Sequence, residues 1–314
     1  MIRDDRPPAF VLLNPAAGSG RARRRWATVA PVIAAACEPR VVELDAAGAW
    51  EAAARQALGE GVRLFLAAGG DGTVGTLADA LVRLRGTVAL PALTLGAAGL
   101  GSSNDFHKPF ARVQARVPLR IGRPGARRDV CRARFTAVEG PPRERHFLVS
   151  ASLGLAARAN AFFSGGDRLQ GWLRGRWTAG AILYAAQHTL VRHRNLEARL
   201  QLAGGHSYSC ALTNLSVGKT AWVSGGFRYD TSVAPDDGLL AANLCEGMTR
   251  TAAGRALADL ARGRFQGRPG RRHWQLSRLE VELPEPTVLE LDGELFAARR
   301  VCFETLADRL QLCS

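Results

Sequence analysis

Over roughly its first 120 residues the chain alternates between short apolar runs and alanine-rich stretches, and few folds accept that pattern. Apolar runs at 10–13, 40–44, 64–67 and 89–95 read as strands. The stretches between them at 21–37, 46–59 and 74–85 carry apolar residues at three- and four-residue spacing and read as helices. Repeated β-α-β units of this length predict a parallel sheet covered by helices. Ligands of such sheets sit beyond the carboxyl ends of the strands. Three glycine-rich segments fall there: 14–20 after the first strand, 69–73 after the third and 96–105 after the fourth.

The texture changes at Gly122-Arg123-Pro124-Gly125. Alternating stretches at 146–151, 196–202, 209–217 and 276–283 predict antiparallel strands, interrupted by one helical pattern at 168–194. Strand-like runs at 288–291 and 300–303 end the chain. The fold class expected is an α/β N-terminal domain with a parallel sheet, residues 1–122, plus a β-rich, antiparallel sandwich-like C-terminal domain, residues 123–314. Whether the last segment returns to the first domain is left open. The active site is expected in the cleft between the two.

At 314 residues there is enough chain for two cores. No apolar run approaches the roughly 18 residues that span a bilayer. The start of the chain, 1–8, has no apolar core behind its charges and does not read as a signal peptide, so a cytoplasmic protein is expected. Six scattered cysteines without C-x-x-C spacing argue against a zinc site or a disulfide framework. The 42 basic residues outnumber the 28 acidic ones, a formal net charge of +14, and lysine occurs only at Lys108 and Lys219. Such a field attracts nucleic acid, nucleotides or an anionic membrane. An arginine-rich solvated surface also accounts for it, and charge alone does not choose.

The most informative segment runs from Leu64 to Thr73, where an apolar strand enters Gly69-Gly70-Asp71-Gly72-Thr73 and a helix follows. Glycines let backbone N–H groups approach phosphate, and a helix N-terminus adds partial positive charge. Asp71 would repel phosphate directly. It suits a metal–water shell, or the orientation of a hydroxyl beside the phosphates. A plain turn explains Asp-Gly alone, but not five residues in a strand–loop–helix setting.

This motif resembles the nucleotide-binding signature of the lipid kinases related to diacylglycerol and sphingosine kinases; NAD kinases and phosphofructokinases carry a related Gly-Gly-Asp-Gly. Four further segments favour the lipid kinases. Asn14-Pro15-Ala16-Ala17-Gly18-Ser19-Gly20 looks like their opening glycine loop. Gly101-Ser102-Ser103-Asn104-Asp105-Phe106 is similar to their G-T-x-N-D-F, with Ser102 for the threonine that meets ATP. Ala234-Pro235-Asp236-Asp237-Gly238-Leu239 resembles the stretch that binds a structural magnesium in bacterial members. The ligands implied here are the Asp237 carboxylate and the carbonyls of Ala234 and Leu239. Leu291-Asp292-Gly293-Glu294 is similar to their L-D-G-E, which implies Glu294 as general base.

The resemblance thus implies an ATP- and Mg2+-dependent kinase acting on a lipid hydroxyl and visiting an anionic membrane peripherally. Its nucleotide contacts would be Asn14, Gly69, Gly70, Asp71, Gly72, Thr73, Ser102, Asn104 and Asp105. Asp129 falls where the family has a carboxylate linked through water to magnesium, although pairing with neighbouring arginines explains it equally well. Two departures stand out: Gly75-Thr76 replaces the usual polar pair after the motif, and Gly96-Ala97-Ala98-Gly99-Leu100 reads as a longer approach loop. Gly218-Lys219-Thr220 is not a Walker A loop, since Thr213 stands where its first glycine belongs.

Two rival readings remain. An NAD kinase-like enzyme with a soluble substrate is disfavoured, because no Asn-Glu pair is positioned for a second ribose. A basic nucleic-acid-binding protein without catalysis lacks any recognisable RNA-binding signature, and no nucleic acid is expected as partner. The 168–177 segment mixes arginine with tryptophan. It suits an anionic lipid surface, or a packed helix with snorkelling arginines.

Overall fold

The computed structural model describes residues 6–86, 88–137 and 140–314; most of the 1–8 segment discussed above lies outside them. Two compact units emerge, Met1–Val130 with Asp308–Ser314, and Cys131–Ala307.

The first unit is built from β1 (Pro8–Leu13), α1 (Ala22–Ala36), β2 (Glu38–Glu43), α2 (Ala49–Gly59), β3 (Leu64–Gly69), α3 (Asp71–Leu84) and β4 (Thr94–Gly99). The strands pair in the order β4-β3-β1-β2, each neighbouring pair parallel. Five of the six residues of β1 are buried, as a strand covered on both faces requires. β2 lies at the edge and is largely exposed. On the far side of β4, Gln311 and Leu312 pair with Thr94 and Leu95 in parallel, and Val117–Arg120 pairs antiparallel. Val29 and Ile33 of α1 pack with Val11, Leu66 and Leu100 in one core cluster.

The fourth strand departs from expectation. It lies at Thr94–Gly99 rather than 89–95, and Leu90–Ala92 forms a short 3-10 turn with Pro91 in its first turn. Gly96-Ala97-Ala98-Gly99 is therefore strand, not approach loop. The reason is space. A Cβ on Gly96 would come within 2.4 Å of Leu66 Cδ2 and 2.5 Å of Arg120 O. A strand so tightly flanked takes glycine and alanine, and its composition mimics a loop.

The second unit is mostly antiparallel. β5 (Pro124–Thr136) leads into it and pairs with β6 (Arg143–Phe147). The sheet continues through β7 (Ser150–Gly154), β8 (Leu196–Leu202), β9 (Ser207–Gly218), β10 (Leu240–Glu246), β11 (Arg271–Leu276), β12 (Arg278–Leu291) and β13 (Glu294–Cys313). The order is β11-β10-β9-β8-β12-β13, with β7 also pairing β9 and β12. Phe135, Phe147, Leu153, Leu215, Leu289 and Phe303 belong to its core.

One helix, α4 (Leu155–Gly165), precedes the helical interruption at 168–194, which itself holds two helices, not one: α5 (Arg168–Arg176) and α6 (Thr178–Val191). α4 buries only Ala157, so it carries no apolar stripe to betray it. A further helix, α7 (Arg250–Leu260), is capped by Thr249, whose Oγ1 accepts the Ala252 N–H at 3.2 Å. The cysteines are unbridged.

Candidate active site

In the first unit the three glycine segments meet. The chain leaves β1 at Asn14, whose N–H donates to Ala68 O beside the end of β3. The Asn14 side chain then works in both directions. Its Oδ1 accepts the Ala16 N–H and its Nδ2 donates to Thr73 Oγ1, both at 3.0 Å, tying the first loop to the start of α3. Thr73 is buried in that contact.

Gly69 ends β3, and Gly70 takes the N-cap position of α3 in extended backbone, with no side chain to satisfy the first-turn N–H groups. The third segment folds over this turn. Leu100 and Gly101 both donate to Gly69 O, at 2.7 and 3.2 Å. A Cβ on Gly101 would stand 2.5 Å from Gly70 Cα, so only glycine permits this approach. Arg25 of α1, which carried no signal in the sequence, locks the arrangement by donating from Nη1 to Leu100 O at 2.9 Å and Gly101 O at 3.1 Å.

Asp71 is half-buried at the first position of α3. Its Oδ2 accepts the Asp105 N–H at 3.0 Å and its Oδ1 the Phe106 N–H at 2.9 Å. It is therefore not a free loop carboxylate but a clasp on the 105–106 backbone. Burial, and then the charge of Asp105, push its pKa up to about 6, against the two N–H donors and Lys108. Asp105 is itself buried and accepts from Lys108 Nζ at 2.7 Å.

Ser102 is exposed at the tip of the segment. Asn104 is buried with left-handed backbone (φ 51°). Its Nδ2 donates to Gly101 O, and its Oδ1 has no partner among the described residues. Next to it, burial and then the charge of Arg120 lower the pKa of His107 to about 3, so this imidazole is neutral. Its ring packs edge-on against Phe106, which also lies under the guanidinium groups of Arg120 and Arg128. Asp129, the sequence candidate for a water-linked magnesium contact, is fully buried and accepts from Arg309 Nε at 2.8 Å. Arg309 is remote from it in sequence.

In the second unit, Asp292 and Gly293 form a two-residue turn between β12 and β13, with Leu291 paired to Glu294. Both turn residues have positive φ, 48° and 94°, as a type I′ turn requires. The buried Asp292 carboxylate accepts three backbone N–H groups, from Leu148, Val149 and Ser150, at 2.8–2.9 Å. Glu290 accepts from Ser152 Oγ and from Gly293 N–H, each at 2.6 Å. This anchored turn fixes the position of Glu294, whose carboxylate is about a third exposed and lies 3.8 Å from Arg145. Nothing in the sequence pointed to the three-donor anchor or to Arg145.

The loop before β10 does not fit the magnesium expected on it. Lys219 Nζ donates to Asp237 Oδ1 at 2.6 Å and to Leu239 O at 2.7 Å, so an ammonium takes two of the three implied ligands. Ala234, the third, is half-buried on the same loop. Burial disfavours the charged Asp237, but the hydrogen bonds from Lys219 and the Leu239 N–H outweigh it and hold the carboxyl below its usual range.

Comparison with known proteins agrees with this layout. Residues 8–122 match the family described as the diacylglycerol kinase catalytic domain, and residues 151–314 match the YegS C-terminal NAD kinase beta sandwich-like domain. Two proteins described as "Probable lipid kinase YegS-like", from Xanthomonas campestris pv. campestris (strain 8004) and Xanthomonas euvesicatoria pv. vesicatoria (strain 85-10), are each 28% identical over 289 residues. These alignments cover 87% of this chain and 87% of each relative. A solved diacylglycerol kinase from Bacillus anthracis str. Sterne superposes with a TM-score of 0.65 at 16% identity, covering 98% of this chain and 97% of that one, which shows the shared fold. The chain belongs to the YegS-like, diacylglycerol kinase-related family of lipid kinases.

Proposed function

We propose that the protein transfers the γ-phosphate of ATP to a hydroxyl of a lipid, diacylglycerol-like or sphingoid-like. The observation that carries this reading is the convergence of three glycine segments on the N-terminus of α3, with Asp71 clasped inside it. First-turn N–H groups and closely approaching backbone form a donor-rich cradle for polyphosphate. The exposed Ser102 hydroxyl and the Asn104 amide supply polar contacts beside it, while Asn14 and Thr73 hold the loops in register.

Magnesium carried with the nucleotide would neutralise phosphate charge during transfer. Asp71 fits its water shell, since an ionised carboxylate keeps lone pairs after accepting two N–H bonds. Glu294 takes the proton of the attacking hydroxyl, and the anchored Asp292-Gly293 turn keeps that carboxylate in place.

A peripheral approach to an anionic membrane is supported by α5 and α6. Leu169, Trp172, Trp177 and Leu183 are half or more exposed, at 50–65%. Arginines at 168, 174 and 176 share this segment, and the Arg176 guanidinium lies 5.1 Å over the Trp172 ring. Interfacial aromatics beside basic side chains suit lipid headgroups. No helix among the described residues is long and apolar enough to cross a membrane.

The test is to incubate the protein with radiolabelled ATP, magnesium and a total lipid extract, then identify the labelled product. A labelled phospholipid supports the reading. Label only in a water-soluble acceptor, or none at all, contradicts it.

A further inference from the structure

We propose that the ammonium of Lys219 is a built-in cation standing where a structural metal ion would otherwise sit, so that the loop before β10 is held without a divalent ion. Nζ donates to two oxygen acceptors, a carboxylate at 2.6 Å and a carbonyl at 2.7 Å, and the lysine side chain is fully buried. Carboxylate and carbonyl oxygens gathered on a turn are the donors that a hard divalent ion takes. An ammonium with three N–H donors satisfies the same oxygens while carrying one charge rather than two.

The lysine is held from both ends. Its backbone N–H donates to Val149 O at 3.1 Å, and the preceding Gly218 is paired in the sheet with Ser150 and Ala241. The loop is equally determined. Leu239 N–H donates back to Asp237 Oδ1 at 3.0 Å, and Thr305 Oγ1 donates to Gly238 O at 2.6 Å. Nζ therefore meets preplaced oxygens rather than reaching for a surface partner. A metal added beside it would place two cations within a few ångströms of each other.

Residue usage points the same way. Of 42 basic residues only two are lysine, and both are buried with an aspartate partner. A chain that otherwise uses arginine keeps lysine where a compact point charge fits and a planar guanidinium fork does not.

The test compares thermal melts of the nucleotide-free protein in EDTA and in excess magnesium or calcium, for wild type and for Asp237→Asn. Any metal response that depends on Asp237 is the difference between the two proteins. A resident ion saturated about a hundredfold above its Kd would raise Tm by about 5 °C. The proposal expects no such Asp237-dependent rise, and a rise present in wild type and lost in Asp237→Asn overturns it.

Lys219→Met supplies the converse. With the ammonium gone and the oxygens left behind, the variant should melt lower than wild type in EDTA and recover in magnesium or calcium. It should also bind one more equivalent of ion than wild type by calorimetry. A folded Lys219→Met protein that gains neither response contradicts the stand-in role. If that variant fails to fold, the wild-type and Asp237→Asn comparison still decides.

Discussion

The side chain of Asp71 accepts the backbone N–H of Asp105 at 3.0 Å, while the carboxylate of Asp105 turns away to Lys108 at 2.7 Å. Two aspartates thus share one small volume, and the charge of Lys108 acts on both. The first fixes the course of the segment after β4, and the second is neutralised locally. Geometry at the proposed phosphate cradle therefore depends on a carboxylate inside it, and the proposal links binding to local stability at Asp71.

Replacing Asp71 with asparagine should expose that link. The amide keeps the shape but offers one acceptor oxygen for two N–H donors, and a buried donor left unpaired costs about 1–3 kcal/mol. Denaturant melts should show that loss, and nucleotide titration should show weakened ATP binding. A variant with wild-type stability and wild-type affinity would remove Asp71 from both roles.

The pH dependence follows from its pKa of about 6 against 3.8 for an ordinary aspartate. The folded protein holds the extra proton between these values. This group's contribution to stability is therefore complete below 3.8 and is lost as pH rises through about 6. The stability of wild type relative to Asp71→Asn should accordingly fall across that window. Magnesium-dependent ATP binding should strengthen over the same range as the carboxylate ionises. A difference that stays flat with pH would refute the assignment.

Asp292 and Glu294 are two residues apart and should behave in opposite ways. Asp292→Asn strips one of the oxygens that hold Leu148, Val149 and Ser150, so about 2–3 kcal/mol of stability should be lost with a charged acceptor. Glu294, partly exposed and in a long 3.8 Å ion pair with Arg145, should cost little stability when changed. Equal melting temperatures for Asp292→Asn and wild type would mean that the turn is not anchored as described.

How much of this could be read from the sequence depended on how local each cause is. The β1 and β3 runs and the glycine loop before α3 announce themselves, because apolar continuity and strand–loop–helix order are local patterns. Gly96 to Gly99 misled because glycine was required by Leu66 and Arg120, neither adjacent in sequence. α4 escaped notice because it buries little beyond Ala157. Lys219 lay in a segment rejected as a phosphate loop, and its partner is eighteen residues away across a turn. Its one available signal was rarity, as one of two lysines.

The proposed membrane docking through α5 and α6 would combine charge with exposed tryptophan, and salt separates the two contributions. The Debye length falls from about 10 Å at 0.1 M to about 3 Å at 1 M, so arginine-driven binding to anionic vesicles should weaken steeply. Trp172→Ala with Trp177→Ala should reduce what binding survives in high salt. Equal sedimentation with neutral and anionic vesicles would exclude the electrostatic part.

The most direct test of lipid phosphorylation by this chain is kcat for Glu294→Gln on the identified lipid substrate, measured beside its ATP affinity. A positioned general base contributes about 10²–10⁴-fold, and glutamine keeps the shape while removing the basicity. The account predicts a fall in kcat of that order with ATP affinity unchanged within a few-fold and no loss of Tm. A Glu294→Gln enzyme that retains most of its kcat would contradict it and place the base elsewhere.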